Sequence, residues 1–522
     1  MSNTIVITDN EANVIEVVTE GPRGPAGLSG LLIYTTASDV ASVTLAVGEP
    51  FRTAGYYVSG DGGGALYHVS ATKEKEGDLP MADGKWAILH QTEVGRVYLP
   101  HYGVMASQAD NQIKFQSAIN DAILLSGGAK LNSEKSTPVT ILGRDEMFYI
   151  GSEVTVAAGT KGLTFSGIKV AAGDGYVGTQ LINIAGGTGN DACRDIELLF
   201  SELDGRLLTS CLYVGYTNTL RVENNQIHHF TEFGVRKENA GVEGIFVQNM
   251  IYQYKYGEAN FTNATGIGID LINRCTDNKF NGNVIYLTGT GVRLNSSCSS
   301  NLLVANHIYG CTELGILIAV GRTIIVGNQF DHNGLHDKVG SDLIIENNLY
   351  NYGGTIWGDR TFLKLSPQSS NAFYSGIVKG NVLNHRVGVN TVTFIEYDTA
   401  NGTYAPSGTK GQIRDNRIND SAAANPVINQ WSTQVTAKQF ISDASDATFD
   451  FAEVLVPWAA IQNYTYSLRI DSDDKAVVSS VSDEDPNNFT VTLYNPLQTD
   501  GSTKNATCTV FVTASVELNS GS

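Results

Sequence analysis

The sequence predicts an all-β chain whose body is a right-handed parallel β-helix, and three observations carry that prediction. The first is a recurring phrase: a β-branched pair, a small or polar residue, Asn, any residue, then an apolar one. It reads Glu-Asn-Asn-Gln-Ile at 223–227, Val-Gln-Asn-Met-Ile at 247–251, Asn-Gly-Asn-Val-Ile at 281–285 and Val-Ala-Asn-His-Ile at 304–308. It returns as Val-Gly-Asn-Gln-Phe at 326–330 and Ile-Glu-Asn-Asn-Leu at 345–349, with looser copies at 379–383 and 414–418. The second is spacing. Reading the repeat Asn at 225, 249, 283, 306, 328, 347, 381 and 416 gives intervals of 24, 34, 23, 22, 19, 34 and 35 residues. A unit near 22 with longer members suits solenoid coils carrying loops, and the Leu-x-x-Leu-x-Leu phrase of a leucine-rich repeat is missing. Asn amides stacked one rung apart, about 4.8 Å, can bond to one another. The third is a Gly-apolar signature in each unit: Gly234-Val, Gly266-Ile, Gly291-Val, Gly315-Ile and Gly334-Leu. Side chains alternate along a strand. If the apolar residue faces inward, one outward column is Arg236, Gly268, Arg293, Leu317, His336 and the other is Glu238, Asp270, Asn295, Ala319, Lys338.

Composition limits the function classes. The 522 residues include 55 Gly but only 12 Pro, and 17% are charged, which argues against a collagen body and against wholesale disorder. Net charge is −19, from 34 basic and 53 acidic residues, so general nucleic-acid or anionic-membrane binding is not expected. Met1-Ser-Asn-Thr-Ile-Val lacks the basic and apolar segments of a signal peptide, and no run approaches the ~18 apolar residues of a membrane span. Synthesis in a cytoplasm without export is the expectation. Six scattered Cys with no CxxC read as buried thiols; no metal site and no cofactor are expected.

The parts follow in order. Residues 1–43 form an N-terminal segment whose Gly21-Pro-Arg-Gly-Pro-Ala-Gly-Leu-Ser-Gly30 holds three collagen-like triplets, either a short trimer neck or a flexible linker. Residues 44–100 form a small β module; Gly60–Gly64 lacks the Lys-Ser/Thr of a phosphate loop and reads as a tight turn. Ile113, Ala118, Ile119, Ala122 and Ile123 mark a helix over 110–125, stopped by Gly127-Gly128, that caps the open end of the coil occupying 101–435. From 436 to 522, alternation in Tyr464–Ile470 and Cys508–Leu518 predicts a C-terminal antiparallel β-sandwich. The acidic stretches Asp471–Asp474 and Asp483–Pro486 read as solvated turns, without EF-hand spacing.

Gly55-Tyr-Tyr-Val-Ser-Gly-Asp-Gly-Gly-Gly-Ala-Leu-Tyr67, Leu99-Pro-His-Tyr-Gly-Val104 and Phe115-Gln-Ser-Ala-Ile119, followed by Asn-rich coils, together resemble a bacteriophage tailspike over most of 44–430. Residues 102–122 are similar to the start of pectate-lyase-like β-helices, although Tyr102-Gly-Val replaces the usual Phe-Gly-Ala and Gln108-Ala-Asp-Asn111 is short of acids. The resemblance implies a homotrimer on the virion, joined to tail or baseplate proteins through its N-terminus. It also implies binding and depolymerisation of host capsule or O-antigen, and a C-terminal module that assists trimerisation or binds glycan.

Hydrolysis of a glycosidic bond needs two carboxyl groups. Glu238 and Asp270 fall at equivalent outward positions of consecutive units, with Arg236 and Arg293 beside them, so Glu238 is the expected acid and Asp270 the nucleophile or base. A second candidate cluster is Glu313 with Asp331 and Asp337, accompanied by His332 and His336. His228, Tyr252, Tyr286, Tyr309 and Tyr350 lie three residues after repeat Asn residues, and the tyrosines suggest a platform for sugar faces or a ladder that stabilises the sheet. Endo-hydrolysis is the leading expectation. β-Elimination on a uronic acid, served by His228, the tyrosines, Arg236, Arg293 and Asn295, is the alternative, as is a non-catalytic receptor fibre. No Gly-x-Ser-x-Gly esterase elbow is present.

Overall fold

The computed structural model describes residues 31–90, 93–127, 137–187, 191–239, 241–295, 297–319, 322–332, 334–337, 343–352, 361–366, 376–385, 391–397, 412–420, 427–428, 434–444, 446–450, 461–469, 477–485, 488–494 and 506–516. The collagen-like triplets, Lys338 and Asp471–Asp474 lie outside them. The chain forms two units, one of residues up to 73 with 79–90 and one of 74–78 with 91 onward.

In the first unit, β1 (Leu32–Tyr34), β2 (Pro50–Thr53), β3 (Leu66–Ser70), β4 (Leu79–Pro80) and β5 (Trp86–His90) make one sheet in the order β1-β2-β3-β5-β4. Phe51 stacks on Tyr67 at 5.4 Å and meets the edge of Tyr34 at 5.5 Å. The sheet therefore starts before residue 44 and ends at His90, while the strand Arg96–Tyr98 pairs with Val139–Leu142 in the other unit. The Gly-rich segment is a loop rather than a tight turn. Asp61 organises it by accepting bonds from the N–H groups of Tyr56, Tyr57, Val58 and Gly63 at 2.7–3.0 Å.

The second unit opens with α1 (Gln112–Leu125), whose Phe115, Ala118, Ile119 and Ala122 are buried against the first strands of the coil. Ile113 is 75% exposed, because it lies two residues, about 200° around the helix, from Phe115. From there the chain winds as a parallel β-helix with three walls. A typical coil runs Thr217–Glu223 on the first wall, Gln226–His228 on the second and Phe233–Lys237 on the third. The first wall holds twelve parallel strands from Arg96–Tyr98 to Gln412–Arg414. The long strand Lys169–Ile184 feeds both other walls, pairing with Glu202–Asp204 and with Ser210–Val214. Ile227, Ile251, Ile285, Ile308, Phe330, Tyr350 and Leu383 stack as one interior column.

The corner between the first and second walls explains the Asn phrase. Its first residue takes a left-handed conformation, with φ of 54° at Asn224, 52° at Gln248, 64° at Gly282 and 53° at Asn347. The next residue is a buried Asn whose Oδ1 accepts both the backbone N–H and the amide of the Asn one coil earlier. For Asn249 to Asn283 these bonds are 3.1 and 2.9 Å, and Asn249 Nδ2 also donates to Val222 O at 2.8 Å. The ladder runs through 225, 249, 283, 306, 328, 348, 381 and 416, and the N–H of Ser201 begins it. Asn348, not Asn347, is thus the repeat residue, and the intervals around it are 20 and 33.

The Gly signature needs a similar shift. Arg236 pairs with Asp270 and Val235 with Ile269, so Gly268 rather than Gly266 is equivalent to Gly234. A Cβ on Gly268 would stand 2.6 Å from Gly291 O and 2.7 Å from Ile285 Cγ2, which is why this position of the strand Ile267–Leu271 takes Gly. The outward column becomes Arg236, Asp270, Arg293, Leu317, His336.

Towards the C-terminus, Gln434–Ala444, Ala506–Val516 and Ile461–Arg469 form one antiparallel sheet, and Asp446–Asp450, Asn488–Tyr494 and Val477–Asp485 another. Asp483–Asp485 end a strand rather than forming a turn. No described helix is long and apolar enough to cross a membrane.

Candidate functional site

The outer face of the second wall carries the chemistry. Its short strands turn their first and third residues outward. The third-position column reads Asp204, His228, Tyr252, Tyr286, Tyr309, Asp331, Asn351, and beside it run Glu202, Gln226, Met250, Val284, His307, Gln329. In the middle, parallel rings stack along the axis: His228 on Tyr252 at 5.0 Å, Tyr252 on Tyr286 at 4.8 Å, Tyr286 on Tyr309 at 5.0 Å. Because neighbouring rungs cover the ring faces, the ladder presents edges and hydroxyls, not flat platforms for sugars. Tyr252 is 1% exposed and bonded by Gln226 Nε2 at 2.6 Å, and burial pushes its phenol up to about 12. Tyr286 and Tyr309 are half-buried, and their hydroxyls have no protein partner among the described residues.

At one end of the ladder two imidazoles meet three carboxylates. His228 Nε2 donates to Glu202 Oε1 at 3.1 Å, and His229 Nε2 to Glu258 Oε1 at 3.2 Å. Their Nδ1 atoms lie 2.8 Å apart, at 3.5 and 3.2 Å from Asp204 Oδ1. The adjacent histidines reach one point because His229 has a φ of +50°, a left-handed bend that swings its ring to the side of His228. Glu258 comes from the excursion 253–266 between Tyr252 and Ile267. Burial pushes His228 down despite Asp204, whereas the hydrogen bond to Asp204 raises His229 against its own burial. Burial favours the neutral form of Asp204, but the bond from His229 and the imidazole charges outweigh it and hold its carboxyl low.

At the other end, Asp331 accepts bonds from His307 Nε2 at 2.8 Å, Asn351 Nδ2 at 2.8 Å and Gln329 Nε2 at 3.2 Å. Burial opposes its ionisation, yet these donors keep its carboxyl below the usual range.

The expected pairs are not brought together. Asp270 is fully buried and both its oxygens are taken: Oδ2 by Arg236 Nε at 2.8 Å and Arg293 Nη2 at 2.7 Å, Oδ1 by Arg293 Nε at 2.8 Å. Its column partner is Arg236; Glu238 lies past the strand end, bonded by Asn273 Nδ2 at 3.2 Å. The register, two residues off the expected one, separates them. Glu313, bonded by Thr290 Oγ1 at 3.2 Å, immediately precedes the third-wall strand Leu314–Ile318 rather than standing in column with Asp331. Asp337 is in register with Ile318 and Leu365, and its side chain lies outside the described residues; His336 bonds Ser366 Oγ at 2.8 Å. Tyr350 is an interior residue stacked on Phe330 at 4.6 Å, because shifting the repeat Asn by one residue turns a side chain to the opposite face.

The sequence reading missed Glu202, Asp204, His229 and Glu258. Glu202-Leu-Asp204 matches Gln226-Ile-His228 one coil later, with Ser201 in the Asn position, so extending the repeat one coil back finds the first two. A hollow of about 560 Å³ on the first wall, lined by Asp195, Glu197, Arg221, Glu243, Asp277 and Lys279 among others, offers mixed charges without an imidazole or an aromatic ring. The second wall is therefore the candidate site.

No protein-family model and no curated protein matches the chain. Among solved structures it is similar to the enzymatically active domain of tailspike protein 4 of bacteriophage CBA120, at 11% identity over 95% of this chain and 76% of that one, with a TM-score of 0.48. It is similar to the tailspike of Acinetobacter phage vB_ApiP_P1, at 10% identity over 93% and 98%, TM-score 0.42. It is also similar to the tailspike gp49 of Acinetobacter baumannii bacteriophage Fri1, a capsular polysaccharide depolymerase, at 11% identity over 94% and 98%, TM-score 0.33. The fold rests on the strand pairings themselves: the chain is a parallel β-helix protein.

Proposed function

We propose that the second wall binds an extended surface polysaccharide and that Glu202 and Glu258 hydrolyse its glycosidic bonds, one as acid and the other as base or nucleophile. The observation that supports this reading is two part-exposed carboxylates, each oriented by the Nε2–H of a different histidine, on the same wall as the hydroxyls of Tyr286 and Tyr309, unbonded among the described residues. Two positioned carboxyl groups are what glycoside hydrolysis requires. Hydrolysis is favoured over β-elimination by charge. Elimination needs a cation to neutralise a uronate, and at this end of the wall Glu202, Asp204 and Glu258 outnumber Lys255, whose Nζ lies 5.9 Å from the centre of the Tyr252 ring. Arg236 and Arg293 are engaged by Asp270, and Lys169, 4.0 Å from Glu202, is shared with Asp145. The protein side chains alone therefore suit a neutral glycan, and a metal ion bound at this end would supply the cation that elimination needs.

The test is incubation of the full chain with polysaccharides from candidate hosts, reading product size, reducing ends and ultraviolet absorbance. Shortened chains with new reducing ends and no absorbance are expected. An absorbing, unsaturated product overturns hydrolysis in favour of elimination, and bound but unshortened glycan makes the protein a receptor fibre. Tyr286→Phe keeps the ring stack and removes one hydroxyl. It is expected to weaken glycan binding by about 2- to 10-fold, the range of one net hydrogen bond, and calorimetry with an unhydrolysed oligosaccharide checks it.

The assembly proposed is a homotrimer on a virion tail, attached through the N-terminal segment, with the C-terminal sheets aiding assembly. It draws on the tailspike resemblance and on an outward apolar column of the first wall, Leu302, Ile324, Ile344 and Ile377, where Ile324 is 37% exposed. A charge in such a patch has to be desolvated on association. Ile324→Asp is expected to shift the mass in light scattering from three chains towards the 55.9 kDa of one.

A further inference from the structure

We infer that Asp204, His228 and His229 bind a divalent transition-metal ion, zinc foremost, through Oδ1 of the aspartate and Nδ1 of each histidine. The argument begins with protons. A carboxylate oxygen only accepts, so the bonds to Glu202 and Glu258 place a hydrogen on Nε2 of both rings. The remaining nitrogens, Nδ1 of both rings, meet at 2.8 Å and lie 3.5 and 3.2 Å from Asp204 Oδ1. In the metal-free protein a proton on His229 Nδ1 joins these three atoms, and a divalent ion can take its place, because one atom from each of the three residues faces the same point.

The dimensions suit a metal. Zinc bonds of about 2.0–2.1 Å in tetrahedral geometry imply ligand-to-ligand edges of roughly 3.3 Å, and the three edges here are 2.8, 3.2 and 3.5 Å. The donor set, two imidazoles and one carboxylate, is one that zinc and its neighbours take. The surroundings suit it as well. Metal-bound histidines typically donate their second N–H to a carboxylate, which fixes the tautomer and strengthens the ligand; Glu202 and Glu258 stand in that place. His228 is locked further by Tyr252 stacked on its ring at 5.0 Å and a 6° tilt. The left-handed backbone of His229 belongs to the coil corner, since Leu287, Gly310 and His332 take it at the same place with φ of 48°, 62° and 73°, and here it carries the second ring to the side of His228. Three protein ligands leave zinc a fourth position for water or a sugar hydroxyl.

The experiment uses the chelator-treated full chain, titrated with zinc alone by calorimetry and with cobalt(II) by visible absorption, in the absence of glycan. One ion per chain is expected, with the strong visible bands of four- or five-coordinate cobalt. His229→Gln is expected to weaken uptake at least tenfold, and Glu202→Gln or Glu258→Gln by roughly 10- to 100-fold, as outer-shell partners do. Circular dichroism and the melting transition identify any variant that has not folded, in which case the wild-type stoichiometry and cobalt spectrum decide. No stoichiometric uptake by the folded wild type, a pale six-coordinate cobalt spectrum, or equal affinity in folded His229→Gln overturns the inference. Glycan shortening is assayed separately, so failure of metal binding with intact cleavage removes this site and leaves the hydrolase reading standing.

Discussion

Glu202→Gln and Glu258→Gln are each expected to lower kcat by about 10²- to 10⁴-fold, the usual worth of a positioned general acid or base, while KM changes by no more than a few fold. Gln is isosteric and its carbonyl oxygen still accepts from the Nε2–H of His228 or His229, so the rings keep their places and the melting temperature stays close to wild type. The lost quantity is the ability to give or take a proton at the leaving oxygen or the attacking water. Rates from full progress curves on a purified oligosaccharide separate kcat from KM. Wild-type turnover in either variant removes that carboxylate from the mechanism, and wild-type turnover in both moves the chemistry elsewhere, with the Asp331–His307 end of the ladder as the next place to look.

Asn283→Ala is expected to destabilise the coil by about 3–5 kcal/mol. Asn283 is fully buried. Its Oδ1 accepts from Asn249 N and Nδ2 at 3.1 and 2.9 Å, and its Nδ2 donates to Phe246 O at 2.9 Å and Asn306 Oδ1 at 2.8 Å. Alanine strands these partners without water, and each buried group left unsatisfied costs about 1–3 kcal/mol. Relaxation of the corner recovers part of the sum. Denaturant midpoints at constant slope measure the loss, or unfolding rates if the assembly unfolds irreversibly. A change below about 1 kcal/mol would mean that the amide column decorates the corner rather than holding it.

The fold was legible because one corner imposes a chemical requirement that recurs. A left-handed residue followed by a buried amide writes Gly-Asn, Asn-Asn or Ala-Asn into almost every coil, and the inward Ile at the next strand confirms the period. The errors came where that signal was doubled. Asn347-Asn348 offers two amides, and choosing the first moved Tyr350 from the core to the surface. Gly266 and Gly268 likewise both precede Ile, and choosing the first aligned Asp270 with Glu238 instead of Arg236. A two-residue slip keeps inside and outside correct but changes every vertical neighbour, which is why the fold survived and the carboxylate pair did not. Glu258 was illegible for another reason: it arrives on an excursion whose path no periodicity specifies. His229 was hidden by its backbone, since strict alternation puts it opposite His228 and only a left-handed bend brings the two rings to one point.

The constancy of the Asn corner has a practical consequence. Coils differ in length by more than ten residues, yet the step from first to second wall is two residues long in each coil of the ladder, the second of them Asn; the extra chain leaves from the two remaining corners. Those corners behave as sockets on a fixed rack. Segments such as 253–266 can be exchanged for others of different length and chemistry without disturbing alignment above or below, so a new target sugar can be sought by grafting one segment while the spine that carries it stays untouched.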